Sequence, residues 1–398
     1  MVYLPGINVV EGRPVPLHGE LPMRTSLIAC LLPAIAVGIP AQATHLVGPG
    51  GYAQVSDALA VAAPGDFLHV SPGTYAPFAV TFGCTIRGLV PGAVHVQEPS
   101  GGASVTVTAP QGQVVHLAAL DFSFSAAGHV AIQGGRVTLD QCTVLGAASI
   151  DPATAPLTAT NADVHLQGCA VSCSNQFGFN VAMRATNARI TAIDSQFYGS
   201  PLVPSFYYVC SPAVEATGTT LHASGCRFHA GVFGVGPVPG LHANGGRAWL
   251  CDSTVVGWGQ GCPIEATTVL VDRCSLLPAA PSCTAPGGSL LGVSRPQPLQ
   301  NGAGFSLTYT TVPNGYAAVF ASLRLASLDI PGLHAQTQWL GGGDINLGIV
   351  LADATGQATA TVPIPTGAWL VDQALWFQGV TGFSLPLQLS PVAGGLIR

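Results

Sequence analysis

The chain has 398 residues, of which 48% are hydrophobic and 8% are charged. A long chain with this apolar share can bury a large core, which excludes a disordered protein. All 12 basic residues are arginine, so P-loop and Schiff-base chemistry, which need lysine, are excluded. The formal net charge of −6 argues against nucleic acid as a partner, because phosphate binding needs clustered positive charge.

The first 43 residues predict an N-terminal extension that ends in a secretory signal peptide. Arg24 is followed by an apolar stretch over residues 27–39 and then by an A-Q-A sequence ending at Ala43. This order of basic, apolar and small residues predicts cleavage after Ala43. We therefore expect a secreted, cell-surface or periplasmic protein with no membrane span after cleavage.

Two alternatives exist for the same apolar stretch. A transmembrane anchor needs about 20 apolar residues, whereas this stretch is shorter and contains Pro33. A lipoprotein signal would use Cys30, but almost no hydrophobic sequence precedes that cysteine. The cleaved signal peptide remains the preferred interpretation.

A repeated pattern occupies the middle of the chain. Apolar and polar residues alternate, interrupted at fixed places by small or polar residues, in the windows 130–144, 157–171, 183–197, 214–228, 241–255 and 264–276. Alternation at period two predicts β-strands, and three short strands in each repeat predict stacked solenoid coils. An antiparallel sandwich is the alternative, but it would not place the same residue type at the same point of successive repeats.

The segment before the repeats predicts a cap for the solenoid. Residues 55–67 fit an amphipathic helix ended by Pro64-Gly65, which would cover the first coil. A strand over residues 67–70 and a turn at 72–75 follow. Residues 79–86 look like an opening coil, with Cys84 at the repeat cysteine position.

The motif A-L-x-x-A-x-x-G-D-x-L-x-V-x-P-G-T-Y over residues 58–75 is similar to the opening of many secreted proteins of the pectate-lyase-like superfamily. The resemblance covers roughly residues 46–285 and points to no specific enzyme family. It implies a right-handed parallel β-helix over residues 44–287. It also implies that the first strand of one coil holds residues 130–133, that the second holds 137–139, and that the third begins near residue 142.

The last part of the chain, residues 288–398, breaks the repeat. Strand-like runs at 304–310, 317–324 and 358–365 are separated by Gly/Pro turns. This spacing predicts a C-terminal β-sandwich, with the boundary near Pro286-Gly287-Gly288.

Nine of the 11 cysteines fall into two groups. One group recurs at an inward corner of the coils, where either small buried thiols or a bridge such as Cys142–Cys169 would fit: Cys84, Cys142, Cys169, Ser195, Cys226, Ser253 and Cys274. The other group lies in loops and gives better disulfide candidates: Cys173, Cys210, Cys262 and Cys283. No metal or cofactor site is expected, because C-x-x-C spacing and paired histidines are missing.

The candidate site is a set of outward residues on the first strand of successive coils. One row contains Ala131, Thr158, Arg184, Glu215, His242 and Glu265, and the row two residues further on contains Gln133, Thr160, Thr186, Thr217, Asn244 and Thr267. In the enzymes of the superfamily that the chain resembles, this face binds polysaccharide. We therefore assign substrate binding to Arg184, Thr186, Thr217, Asn244, Tyr207 and Tyr208, with the two tyrosines in a loop beside the face.

Three functions fit this face. The preferred one is a non-catalytic extracellular glycan-binding or cell-surface protein. The second is a polysaccharide lyase or inverting glycoside hydrolase with Glu215 and Glu265 as acid and base, because these would stand two coils apart with His242, whose pKa we expect to be raised, between them. The third is a structural surface protein, for which the charges only solvate the face. The superfamily's catalytic motifs are not found, which favours the first.

Histidines recur on the outer face of the second strand. His116, His165 and His222 share one coil position, and alternate or more distant coils hold them too far apart to ligate one metal ion. We expect these three side chains at the surface. The sequence leaves the glycan, the disulfide connectivity and the oligomeric state open.

Overall fold

The structure is a computed structural model of the chain. It describes residues 42–98, 102–124, 128–146, 155–173, 181–199, 211–231, 238–259, 262–278, 290–295, 298–328, 332–334, 336–340, 345–382 and 385–398. The predicted signal peptide up to residue 41, the aromatic loop with Tyr207 and Tyr208, and the predicted boundary at residues 286–288 lie outside these ranges.

The first part of the chain is built from short parallel strands, as the alternating pattern predicted. In chain order they are β1 (Thr44–Val47), β2 (Phe67–Val70), β3 (Gly73–Tyr75), β4 (Ala79–Val80), β5 (Thr85–Gly88), β6 (Val94–Gln97), β7 (Val105–Val107), β8 (Val114–Ala118), β9 (Asp121–Ser123), β10 (Val130–Gln133), β11 (Arg136–Asp140), β12 (Thr143–Gly146), β13 (Leu157–Thr160), β14 (Asp163–Gln167), β15 (Ala170–Cys173), β16 (Met183–Thr186), β17 (Arg189–Ile193), β18 (Gln196–Tyr198), β19 (Val214–Thr217), β20 (Thr220–Ser224), β21 (Arg227–His229), β22 (Leu241–Cys251), β23 (Thr254–Val256), β24 (Ile264–Asp272) and β25 (Ser275–Leu277).

These strands stack into three columns of a solenoid-like structure. The first column is β4-β7-β10-β13-β16-β19 and the second is β1-β2-β5-β8-β11-β14-β17-β20. Strand β22 continues both columns, and β24 pairs along its length. The third column is β3-β6-β9-β12-β15-β18-β21-β23-β25. Strands β10, β11 and β12 match the coil plan that the resemblance implied.

The corners between columns depend on residues that tolerate a left-handed backbone. After the first column the positive φ angles include 51° at Asn161 and 49° at Asn187, and after the second column 49° at Asp194 and Asp252. Asn, Asp and Gly adopt this region at the lowest steric cost. The small and polar residues that interrupt the alternating pattern are therefore the ones that turn the chain.

The solenoid core is a continuous apolar cluster. Inward residues such as Val130, Ile132, Val137, Leu139 and Val144 are almost completely buried. Each coil buries its apolar face against its neighbours, which explains why the repeat pattern persists over many coils.

The helix of the opening segment is shorter than predicted. Helix α1 (Val55–Leu59) has five residues, whereas the prediction continued the helix to Pro64-Gly65. Backbone hydrogen bonds continue the turn to Ala62, and Pro64 and Gly65 (φ 96°) then end it. Its buried residues Val55, Ala58 and Leu59 belong to the solenoid core.

The last part of the chain is antiparallel. Its strands are β26 (Gly292–Ser294), β27 (Gly304–Thr310), β28 (Tyr316–Ser322), β29 (Leu325–Leu328), β30 (Gln338–Leu340), β31 (Ile345–Leu351), β32 (Gln357–Pro363), β33 (Ala374–Thr381), β34 (Gln388–Leu389) and β35 (Ala393–Leu396), with a 3₁₀-helix at Ala368–Leu370. Strands β26-β27-β32 form one sheet, and β31-β28-β33 form another to which β34 and β35 add. Leu307 and Tyr309 of the first sheet share a buried cluster with Val319 and Phe377 of the second.

The antiparallel region packs on the outer face of the second column. Arg295 donates a hydrogen bond to Asp140 over 2.9 Å, and Arg398 lies 3.7 Å from the other carboxylate oxygen. Strand β35 passes so close that a Cβ atom at Gly395 would lie 2.8 Å from the Asp140 carboxylate. The absence of a side chain at residue 395 therefore allows this approach.

Further polar contacts extend the same interface along the solenoid. Asp372 binds His69 over 2.7 Å and also pairs with Arg87 of β5. Asp194 accepts hydrogen bonds from the Ser294 hydroxyl at 3.1 Å and from the Arg295 amide at 3.0 Å. Several coils of the second column are thus tied to the antiparallel region.

This packing corrects the expectation for the second-strand histidines. His165 and His222 are 1% and 2% exposed instead of lying at the surface, and their ring nitrogens have no hydrogen-bond partner among the described residues. Trp376 of β33 lies against the rings of His116 and His165, with centroids 6.0 and 5.0 Å apart. Burial lowers the pKa of His116 to about 4 and that of His165 and His222 to about 3.

Candidate functional site

The charged row of the first column is in register. Arg184 pairs with Glu215, Glu215 with His242, and His242 with Glu265, with Thr158 before them. Adjacent parallel strands lie about 4.8 Å apart, so the two glutamates are about 10 Å apart at Cα. Ala131 also falls in this row, but it is buried.

One ion pair organises the row. The Arg184 Nε atom donates to the Glu215 Oε2 atom over 2.7 Å, and their side chains are 28% and 34% exposed. Glu265 is exposed and His242 is half-buried. The row therefore presents a guanidinium, two carboxylates and an imidazole on one accessible strand face.

A polar row runs beside the charged one. Its register pairs Gln133 with Thr160, Thr160 with Thr186, Thr186 with Thr217 and Thr217 with Asn244. Thr267 departs from this register, because the pairing of β22 with β24 shifts between Ala243 and Arg247. Its hydroxyl instead accepts a hydrogen bond from the Gly245 amide over 2.9 Å.

The predicted aromatic part of the site is not among the described residues. Tyr207 and Tyr208 lie in residues 200–210, outside the described ranges, so their position beside the row stays a prediction. Trp258 is half-buried and its amide donates to the Val238 carbonyl over 2.8 Å.

The corner cysteines remain thiols. Each member of the corner set immediately precedes a strand of the third column, except Cys84, which precedes β5 of the second column and was therefore assigned to the wrong corner. Cys142 and Cys169 are free, so the predicted alternative of a bridge between them is not formed. Burial raises the pKa of Cys169 and Cys226 to about 12, which keeps them protonated.

The cysteines that were predicted to lie in loops differ in their bonding. Cys262 forms a disulfide bond with a cysteine that lies outside the described residues. Cys210 and Cys283 also lie outside those residues. Cys173 was predicted as a disulfide candidate, but it is a buried thiol that donates to the Val181 carbonyl over 3.3 Å. It ends strand β15, so its side chain faces the interior rather than a loop.

A second ionic row, which was not predicted from the sequence, runs along the second column. Arg136, Asp163, Arg189 and Arg247 occupy the first position of the second strand in their coils, in register with Thr220. The Asp163 carboxylate lies 3.8 Å from Arg136 and 4.0 Å from Arg189. The signal was visible in the repeat windows, where arginine recurs at this position.

Within the described ranges, no three His, Cys, Asp or Glu side chains come together as a metal site. No helix in the same ranges is long and apolar enough to cross a membrane. Comparisons of the chain with the models of known families, with curated proteins and with solved structures find no match.

Proposed function

We propose that the protein is exported and binds an extracellular glycan, without catalysis, on the first-column face. In this proposal the solenoid is a right-handed parallel β-helix of the pectate-lyase-like type. Helix α1 caps its first coil, and the antiparallel region is a β-sandwich module.

The observation that carries the proposal is the Arg184–Glu215 pair at 2.7 Å within an in-register polar face. Only 8% of the chain is charged, yet four ionisable side chains follow one another on four adjacent strands. A protein surface can stay solvated without placing four ionisable side chains on adjacent strands. The ion pair fixes both side chains at the spacing of the strands, which reduces the conformational entropy lost when a ligand binds.

The chemistry of the face suits sugar hydroxyl groups. Arg184 supplies donors, Glu215 and Glu265 supply acceptors, and the Thr and Asn side chains of the neighbouring row supply both. A linear glycan running along the stacking direction would meet equivalent groups at each strand. Tyr207 and Tyr208 would add apolar contact to sugar rings.

A polysaccharide lyase or inverting glycoside hydrolase is the second candidate. Glu215 and Glu265 on strands two apart, with His242 between them, favour it. The Glu215 side chain would have to leave Arg184 and turn toward Glu265 to bring the carboxyl groups to the separation of roughly 6.5–9.5 Å found in inverting enzymes. In this candidate Arg184 would hold a uronate carboxylate. A purely structural surface protein is the remaining alternative.

The test is a polysaccharide array on which binding and product release are read from the same spots. Binding without new reducing or unsaturated ends supports the proposal. Product formation that Glu265→Gln abolishes while binding persists would replace the binding module with the enzyme. If the protein binds and cleaves none of the acidic and neutral polysaccharides, the structural surface protein is favoured.

A further inference from the structure

Strand β31 leaves one edge of the antiparallel region open. It is the outer strand of the sheet β31-β28-β33, and no other described strand pairs with its outer side. Its sequence contains no charged residue and no proline. Two of its side chains are exposed large hydrophobics, Ile349 at 62% and Leu351 at 76%. An apolar edge of this kind is a template for pairing with another strand.

The other outer strands of the two larger antiparallel sheets are protected. In β26 the Val293 amide donates to the Ser224 hydroxyl of the solenoid over 3.0 Å, and β35 packs against β11 and β14. In β34 the Leu389 amide donates to the Gln336 side chain over 2.9 Å. The exposed positions of β32 carry only Gln, Thr and, at its end, Pro363. Strand β31 has no comparable protection along its second half.

The free backbone groups of β31 are those of Ile349 and Leu351. The Ala352 amide donates to the Gly315 carbonyl, directly before β28, over 2.9 Å. Hydrogen-bonded and non-hydrogen-bonded pairs alternate along antiparallel strands, so Val350 also bonds to β28. Ile349 and Leu351 therefore direct their N–H and C=O groups to the open side of the sheet.

We propose that two copies of this chain pair through β31, antiparallel and about a two-fold axis centred on Val350. In this register Ile349 of each copy lies opposite the second copy's Leu351. Because both residues have free N–H and C=O groups, the two pairs exchange four hydrogen bonds. The four side chains meet on the exposed face of the joined sheet. The contact is the same on both copies and uses both open edges, so association closes at a dimer.

The charges near the strand favour a second copy as the occupant. The formal net charge of −6 makes most surfaces of two copies repel each other, whereas β31 brings no charge to the contact. The next charge along the described chain, Asp353, would lie opposite Leu347 and not opposite its own counterpart. The register shift between Val319 and Phe320 confines regular pairing to the second half of β31, which makes the dimer a small, weak one.

Sedimentation equilibrium of the purified protein over a roughly hundredfold range of concentration tests the proposal. We expect the average molar mass to rise toward twice that of the monomer and no further. Ile349→Lys should abolish this rise, because the contact would bury an ammonium group without a counter-charge. Since Ile349 is 62% exposed, the variant is expected to fold.

Leu351→Pro separates backbone pairing from apolar contact. Proline has no N–H group, and the N–H of Leu351 points away from β28, so the sheet within one copy keeps its hydrogen bonds. The pairing between copies loses two of its four hydrogen bonds. Dimerisation of Leu351→Pro should therefore require a concentration about tenfold higher or more.

The matched control is Val61→Lys, which places the same charge at a β-branched residue of the solenoid that is 57% exposed. Its dimerisation should stay within about twofold of the unsubstituted protein. The proposal is overturned if the protein stays monomeric throughout, if its mass exceeds that of a dimer, if Ile349→Lys and Val61→Lys behave alike, or if Leu351→Pro dimerises normally. None of these outcomes bears on the first-column face, whose test uses Arg184.

Discussion

Arg295 and Asp140 form an ion pair in which the guanidinium and the carboxylate meet at 2.9 Å, although 155 residues separate them in the chain. Their side chains are only 1% and 5% exposed. The pair joins the start of the antiparallel region to the middle of the second column. It links the stability of the antiparallel region to that of the solenoid.

Asp140→Asn should destabilise the protein strongly. The substitution leaves Arg295 as a buried cation without its counter-ion, and breaking a buried pair in this way typically costs about 3–5 kcal/mol. The free energy of unfolding from urea titration measures the effect. Glu265→Gln is the control, because its exposed side chain predicts a change within about 0.5 kcal/mol. A loss below about 1 kcal/mol for Asp140→Asn would contradict the assignment.

Acid should destabilise the interface through the buried histidines. Burial lowers the folded-state pKa of His165 to about 3, whereas an unfolded histidine titrates near 6.5. The unfolded chain therefore binds the proton first, so this stabilisation is fully present above pH 6.5 and is lost as the pH falls toward 3. Between pH 7 and pH 4 the loss from His165 alone is on the order of 3 kcal/mol.

His165→Leu should make the stability of the protein less dependent on pH by about that amount. The measurement is the free energy of unfolding at pH 7 and at pH 4 for both proteins. Thr191→Val is the matched control, because Thr191 pairs with His165 in register, is fully buried and does not titrate. Equal pH dependence in His165→Leu and the unsubstituted protein would contradict this account.

The corner column should accept serine in place of cysteine. Cys169 donates to the Leu139 carbonyl of the preceding coil at 3.2 Å and to the Gln167 carbonyl at 3.5 Å. Ser195 makes the equivalent contacts to the Leu166 and Ile193 carbonyls. The hydrogen-bonding role, rather than thiol chemistry, therefore defines the position.

Cys169→Ser is expected to cost less free energy of unfolding than Cys169→Val, by about 1 kcal/mol, because valine removes the donor. Urea titration of the two variants measures the difference. If valine were tolerated better than serine, the corner would be selected for apolar volume alone.

The solenoid could be predicted from the sequence because the residues that define each coil are close together in the chain. Alternation and corner residues recur within each coil, so strands such as β10 and the register from Arg184 to Glu265 follow from aligning the windows. The bulge that shifts Thr267 could not be predicted, since it depends on how β24 pairs with β22.

The interface could not be predicted from the windows for a different reason. The partners of His165, Asp140 and His69 come from the antiparallel region, and His69 and Asp372 are 303 residues apart in the chain. An outward position on an isolated solenoid looks solvated whatever later covers it.

The central claim is that the face organised by Arg184 binds a glycan. Its most direct test compares the protein, Arg184→Gln and the control Arg227→Gln on one array of acidic and neutral polysaccharides. We predict that the protein and Arg227→Gln bind the same spots and that Arg184→Gln loses them. Binding of the same spots by Arg184→Gln, or of none by the unsubstituted protein, would contradict the claim.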